Sequence, residues 1–441
     1  MSQNRTGLSD IRRITAPVFT RPDTGPDTQR AVTALERRLL RWLLRAVGNP
    51  PVRFVLWNGE EFGISQEPTV AHVHIRDPGA LRRLALHPEL YFGEDYTSAR
   101  LEVEGYFVEF LETIYRAIGR APRPGLFRRV LHAWLNRPHR NTLDGARENI
   151  HHHYDLGNDF YKLWLDGEMV YTCAYFSSPS LSLEEAQAAK MDHVCRKLEL
   201  KPGQTVVEAG CGWGALARHM AKYYGVTVKA YNISHQQLAY ARDRARQEGL
   251  IGRVEYIEDD YRNIRGQYDA FVSVGMLEHV GLPNYPVLGA VARNVLREHG
   301  RGLIHSIGRN RPGTMSAWIE RRIFPGAHPP CLSEMMQLFE PHNFSVLDVE
   351  NLRLHYARTL AHWLERFEAN TDRIEAMTDS AFVRAWRLYL AGSMASFTAG
   401  DLQLYQVVFS HGTCNDVPWT RWRLYNDTRS HKEKSGNRVT S

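Results

Sequence analysis

No run of about 18 uninterrupted apolar residues, the least a membrane-spanning helix requires, occurs in the 441 residues. An embedded helical protein is therefore excluded. The first thirty residues carry Arg5, Arg12 and Arg13 but no apolar block of the signal-peptide kind, so export by that route is not expected. Cysteine is scarce. The five present (Cys173, Cys195, Cys211, Cys331 and Cys414) are an odd number without a CxxC pair, which argues against a disulfide framework and a zinc cluster and fits a reducing cytoplasm. Charge excess is small, 55 Lys and Arg against 49 Asp and Glu. Without an aromatic-basic reading surface or a base-flipping motif, nucleic acid is not an expected partner. Internal repeats are also missing.

The 43% hydrophobic and 24% charged residues are those of a folded globular chain, and the length exceeds one ordinary core. Residues 1–30 are polar with scattered proline and read as a disordered arm. Residues 31–122 read as a small α+β domain, 123–147 as a linker helix, 148–427 as an α/β domain and 428–441 as a flexible polar tail. Within the first domain, "ALERRLLRWLLRAVG" (34–48) sets Leu35, Leu39, Leu43 and Val47 on one stripe, with Arg37, Arg38, Arg41 and Arg45 mostly around it. Core packing with snorkelling arginines is the default reading; an interfacial helix on anionic lipid is the other. "GLFRRVLHAWLNRPHR" (125–140) repeats the theme with Phe127, Leu131, Trp134 and Leu135. An Asn58-Gly59 turn predicts a hairpin over 52–65, alternation predicts a strand over 69–77, and helices are predicted over 78–88 and 103–118.

From about residue 150 the pattern becomes strands alternating with amphipathic helices. Runs at 205–210, 226–234, 253–260, 268–276 and 300–308 predict a parallel, doubly wound sheet of Rossmann-like type covered on both faces. Gly210, Gly212 and Gly214 fall where the first of these strands meets its helix, a place where backbone can approach a ligand. A dinucleotide site would follow with a ribose-binding acid about 20 residues on. The second strand instead ends "AYNIS", where Asn232, Ser234 and Gln237 offer neutral hydrogen bonds. The third strand's end supplies Asp260 and Tyr261, an acceptor for an adenine amino group and a flat partner for its ring. This pattern favours a free adenosyl ligand over NAD. His151, His152 and His153 are consecutive and cannot readily face one ion together, so polar contacts are expected of them and no metal site.

Several ordered blocks together resemble the cyclopropane fatty acid synthase and mycolic acid methyltransferase family: "HYDLGNDFYKLWLD" (153–166), "YTCAYF" (171–176), "EAGCGWG" (208–214), "VSVGMLEHVG" (272–281), "LIHSIG" (303–308), "IFPGAHPP" (323–330) and "HYARTLAHW" (355–363). The resemblance extends into the first domain through "GEDYTSARLEVEG" (93–105). It implies methyl transfer from S-adenosylmethionine to a cis double bond of a lipid acyl chain, followed by loss of a proton to bicarbonate and closure of a cyclopropane. The family's bicarbonate-site positions fall on Cys173, Glu278, His305, Ile307 and Tyr356, all with the family's residue type. Tyr171 and Thr172 belong to the segment that, by the same resemblance, closes over the cofactor, where a ring can face the sulfonium. Cys211 and Trp213 are expected to pack the turn.

Three departures stand out: Asn232 for threonine, Thr172 for serine, and Leu277 for a phenylalanine beside Glu278. The last opens the product to a methylene or methyl-branched chain. A non-catalytic lipid-binding relative is the reading from another class. The implied partners are unsaturated phospholipids at an anionic membrane surface, on the cytoplasmic face of the inner membrane, and a homodimer is admitted.

Overall fold

The computed structural model describes residues 30–120 and 157–425. The arm, the linker helix, the three consecutive histidines and the polar tail expected from the sequence lie outside them.

The first part builds a four-stranded sheet in the order β2-β1-β3-β4, from β1 Val52–Val55, β2 Glu61–Phe62, β3 Ala71–Ile75 and β4 Leu101–Gly105. Alternation in β3 turns Ala71, Val73 and Ile75 inward. Helices α1 (Ala34–Ala46), α2 (Pro78–Leu86), α3 (Pro88–Thr97) and α4 (Phe107–Arg120) complete it.

Two expectations for this part need correction. The helix expected over 103–118 begins only at Phe107; residues 103–105 are the end of strand β4, in which Leu101 and Val103 pair with Ile75 and Val73 of β3. Gly105, at a φ of 126°, then turns the chain into α4. In α1, Leu35 is 74% exposed, and the buried face is Glu36, Leu40, Leu43 and Leu44. A strict i+4 row advances about 40° per step, so the row from Leu35 to Val47 winds away from the core.

The second part is a seven-stranded sheet ordered β10-β11-β9-β8-β5-β6-β7. Its strands are β5 Thr205–Ala209, β6 Thr227–Asn232, β7 Val254–Glu258, β8 Tyr268–Val274, β9 Leu296–Arg309, β10 Phe344–Asn351 and β11 Leu402–His411. β11 runs antiparallel to both its neighbours, and β5 to β9 run parallel. The doubly wound, Rossmann-like sheet is as expected, with β10 and β11 beyond the five strands foreseen. Helices α5 (Leu183–Leu198), α6 (Ala215–Tyr224), α7 (His235–Gln247), α8 (Tyr285–Val295), α9 (Arg353–Glu368) and α10 (Ser380–Ala399) pack around it.

The two parts are joined closely. Buried Arg384 of α10 donates to the carbonyls of Tyr96 (2.6 Å) and Leu101 (3.3 Å) and lies 4.5 Å from the Tyr96 ring centroid. Gly93 of α3 lets the backbone reach the Trp318 indole, which a Cβ would overlap. Among the described residues, no helix is long and apolar enough to cross a membrane.

Candidate active site

In an open α/β sheet a ligand binds at the carboxyl ends of the strands, where the strand order reverses. Here that point lies at β5, between β6 and β8. The glycine loop leaves β5 at this place, with φ values of 82°, 53° and 77° at Gly210, Gly212 and Gly214. The Gly210 and Cys211 amides donate to the Tyr231 carbonyl (2.9 and 3.0 Å), pinning the loop to β6. Asn232 extends the contact, donating to the Gly212 carbonyl (3.2 Å) and the Gln237 side chain (2.8 Å). Ser234 caps α7 by accepting from the Gln237 amide. At the end of β7, the Asp259 amide donates to the Asn232 carbonyl (3.1 Å). Asp260 accepts from the Arg262 amide and guanidinium, and that guanidinium lies 4.9 Å from the Tyr261 ring centroid. Each Asp260 oxygen keeps a lone pair for a further donor. Trp213 is buried against Tyr161, its indole donating to Asn158 (2.8 Å), and Cys211 is buried too.

The remaining site residues gather on the other side of the loop. A Cβ on Gly210 would sit 3.0 Å from Met276, and one on Gly275 would sit 2.8 Å from the Thr172 methyl. Glu278, in the turn of helix after β8, accepts from the Ile307 amide at 2.5 Å; its other oxygen is buried without a hydrogen-bond partner among the described residues. Burial pushes the Glu278 carboxyl up to about 7. His305 pairs with Val274 across β8 and β9, and its Nε2 is likewise buried without a partner. Burial, with Lys190 and Lys197 nearby, holds His305 well below its ordinary value. Buried Cys173 donates to the carbonyls of Ala174 (3.1 Å) and Leu352 (4.0 Å), and the Leu352 carbonyl also accepts from the Tyr356 amide. Tyr171 shares a 2.7 Å hydroxyl hydrogen bond with Tyr389.

A cavity of about 1480 Å³ opens onto this edge. Tyr171, Thr172, Glu278, Ile307 and Tyr356 line its inner end. Leu43, Phe54, Phe110 and Leu111 of the first part and Leu360 and Gly392 of the second line its walls. Cys173, His305, the glycine loop, Asn232, Ser234, Gln237, Asp260 and Tyr261 are not among the residues that line the cavity.

Sequence reasoning passed over two lysines on the buried face of α5. Fully buried Lys190 donates to the Thr172 hydroxyl (3.0 Å), and burial pulls it down to about 8 against the pull of Asp166, Cys173 and Glu208. Glu208, at the end of β5, is pushed up to about 7 by burial. The signal was available: Lys190 and Lys197 fall on the stripe of Leu183, Ala186, Val194 and Leu198, where a lysine without a function would be costly.

A doubly wound sheet with a glycine loop at its switch point and a buried acid lining an apolar cavity beside it defines a Rossmann-like methyltransferase. The sequence profile described as mycolic acid cyclopropane synthetase matches residues 141–407. The chain belongs to that family of S-adenosylmethionine-dependent methyltransferases. A second profile, described as a domain of unknown function, matches residues 39–121. A "Probable fatty acid methyltransferase" of Pseudomonas putida is 35% identical over 395 residues, covering 85% of this chain and 96% of that protein. A "Cyclopropane-fatty-acyl-phospholipid synthase" of Escherichia coli (strain K12) is 36% identical over 354 residues, covering 79% and 90%. Among solved structures, a mycolic acid cyclopropane synthase complexed with SAH and CTAB aligns with a TM-score of 0.57 at 29% identity, over 60% of this chain and 97% of that one.

The glycines of the loop should separate by experiment. A Cβ at Gly214 would run into Tyr256, whose hydroxyl donates to the Gly214 carbonyl at 2.9 Å, whereas one at Gly212 meets nothing within 4 Å. Gly214→Ala is expected to lose about 3 kcal/mol of stability in a denaturant titration, from left-handed backbone plus overpacking. Gly212→Ala should lose only about 1 kcal/mol, yet bind S-adenosylmethionine roughly tenfold more weakly by calorimetry, because its methyl enters space a ligand would use.

Proposed function

We propose that this protein transfers a methyl group from S-adenosylmethionine to a cis double bond in the acyl chain of a membrane phospholipid, with bicarbonate-assisted proton removal giving a cyclopropane. The observation that carries this reading is the cavity: long apolar walls drawn from both parts of the chain end at Glu278, Ile307 and Tyr356. An alkene is a weak nucleophile, so the site must hold it in line with the methyl donor and keep water away. The aromatic rings of Tyr171, Trp164 and Trp363, packed 5.2 to 5.6 Å apart, suit such a dry floor.

Bound S-adenosylmethionine supplies the methyl group, and bound bicarbonate supplies the base. Gly210, Gly212, Gly214, Asn232, Ser234, Gln237, Asp260 and Tyr261 are the residues we assign to the first, with Tyr171 and Thr172 closing over it. Fit to the second is supported by two buried atoms without a partner among the described residues, Oε2 of Glu278 and Nε2 of His305, which suit a small group able both to donate and to accept. Cys173, Ile307 and Tyr356 complete that assignment. Burial raises Glu278 to about 7, so its ionised carboxylate is more basic than an exposed one and a better acceptor for the anion's own proton.

The cavity mouth supports docking on a lipid surface. Trp42, Leu86 and Ile118, 41%, 81% and 51% exposed, stand on its rim with Arg45 and Arg311. Leu35 and Arg38 continue the exposed face of α1; Arg37 instead pairs with Glu60. A peripheral position on the cytoplasmic membrane surface follows from this reading.

Purified protein given methyl-labelled S-adenosylmethionine and unsaturated phosphatidylglycerol vesicles is expected to place label in the acyl chains. Saturated vesicles should take up none, and phosphatidylcholine vesicles less, by a margin that shrinks with salt. Cofactor binding without label in lipid sinks the proposal. A second product class, a methyl-branched chain, is favoured by Leu277 and by the fatty acid methyltransferase relative; mass spectrometry of the labelled acyl chains separates it from a ring.

A further inference from the structure

Behind His305 a polar ladder crosses three adjacent strands. Register sets Glu350 of β10 beside Gln406 of β11, and Gln406 beside His305 of β9. Lys197 of α5 reaches onto this row, its ammonium donating to Glu350 Oε2 (2.6 Å) and to Gln406 Oε1 (2.7 Å). His193 meets the same Glu350 oxygen at 2.7 Å. Gln406 Nε2 lies 3.0 Å from His305 Nδ1. Gln406, His305 and the Lys197 side chain are almost wholly buried, 0%, 1% and 1% exposed.

The chemistry of these groups leaves one arrangement of protons. An ammonium only donates, so the oxygen of the Gln406 amide must face Lys197. The amide NH2 then faces His305, and Nδ1 has to be the bare, accepting nitrogen. A neutral imidazole carries one proton, which must therefore sit on Nε2. We propose that Glu350, Lys197 and Gln406 are positioning residues that lock His305 as its Nε2–H tautomer, presenting a fixed donor to the anion in the active site. Nε2 is the atom left buried without a partner among the described residues. Neutral His305 is favoured by its burial and by the nearby lysines. Burial lowers the Lys197 pKa; Glu350, held at about 2 by His193 and Lys197 against its own burial, opposes that and favours the ammonium, whose two contacts at 2.6 and 2.7 Å set the ladder's direction.

That the donor serves bicarbonate rests on the proposed function; the tautomer does not. The full chain, labelled with ¹⁵N-histidine, is examined by NMR, with a His305→Gln sample identifying the His305 signals. Wild type is expected to show a protonated Nε2 and a bare Nδ1. Gln406→Glu, near in shape but acceptor-only, should move the proton to Nδ1. Lys197→Arg, still a pure donor, should keep the wild-type pattern. Wild-type protein protonated at Nδ1, or a Gln406→Glu spectrum like wild type, overturns the proposal. In the vesicle assay, Gln406→Glu is expected to lose roughly a hundredfold in kcat with S-adenosylmethionine affinity unchanged, as removal of a supporting partner does elsewhere. Full turnover with a switched tautomer also overturns the positioning role. Absence of lipid methylation by wild type refutes the proposed function and leaves the NMR result standing.

Discussion

Glu278→Gln is expected to cut methyl transfer to lipid by about a thousandfold, in the range of a lost acid-base group, with S-adenosylmethionine affinity retained. An amide oxygen can still accept from the Ile307 amide, so the backbone after β8 stays in place. What changes is the second oxygen, buried and without a partner among the described residues, which becomes an NH2 donor. The same variant should be more stable than wild type at high pH. The native carboxyl has its pKa raised to about 7 by burial, above the unfolded value near 4.5. Below that lower value both states hold the proton and the carboxyl does not distinguish them. Between the two values the unfolded chain releases it while the folded chain keeps it, so stability falls as pH rises, and above about 7 the loss is complete. Glutamine escapes this loss. Thermal unfolding at pH 5 and pH 8 should show the variant's advantage growing to roughly 3 kcal/mol. Equal turnover by variant and wild type would remove Glu278 from the chemistry.

Gly392→Phe is expected to abolish lipid methylation, by a hundredfold or more, in a protein that still folds and binds cofactor. Gly392 lies within α10 on the cavity wall, and the nearest atom to a Cβ there is the Tyr115 hydroxyl at 3.9 Å. A benzyl group thus enters the cavity rather than the packed core, and leaving glycine gains about 0.5 kcal/mol or so of helix propensity. Unfolding midpoint and calorimetric cofactor affinity check the first half, and the vesicle assay checks the second. Undiminished lipid methylation would mean the acyl chain travels elsewhere.

Much of the sheet could be read in advance because five of its strands are apolar runs bounded by turns and helices. β10 and β11 escaped because polar residues such as Asp348, Glu350, Gln403 and Gln406 interrupt them; several of those side chains are held in the ladder or at its edge, a partnership that periodicity does not reveal. The glycine loop could be placed because it follows a strand whose apolar run is local, whereas Glu278 and Ile307 were named only through the family resemblance of the blocks that hold them. The buried stripe of α5 marks Lys190 and Lys197 as unusual, but what Lys197 holds could not be read, since Glu350 and Gln406 lie far along the chain. The helix-for-strand error at 103–105 has the same origin: "LEVEG" becomes a strand by pairing with β3, an influence from outside the segment.

The cavity's shared walls carry a consequence for how such a protein diversifies. Glu278, Ile307 and Tyr356 come from the second part, while Leu43, Phe54, Phe110 and Leu111 line the cavity's walls from the first part, which is anchored through Arg384 and the Gly93 contact with Trp318. Mutations in that first part can lengthen, narrow or bend the channel without disturbing a proton or a cofactor contact. On the proposed function, preference among lipids can thus drift under selection while the reaction itself stays fixed.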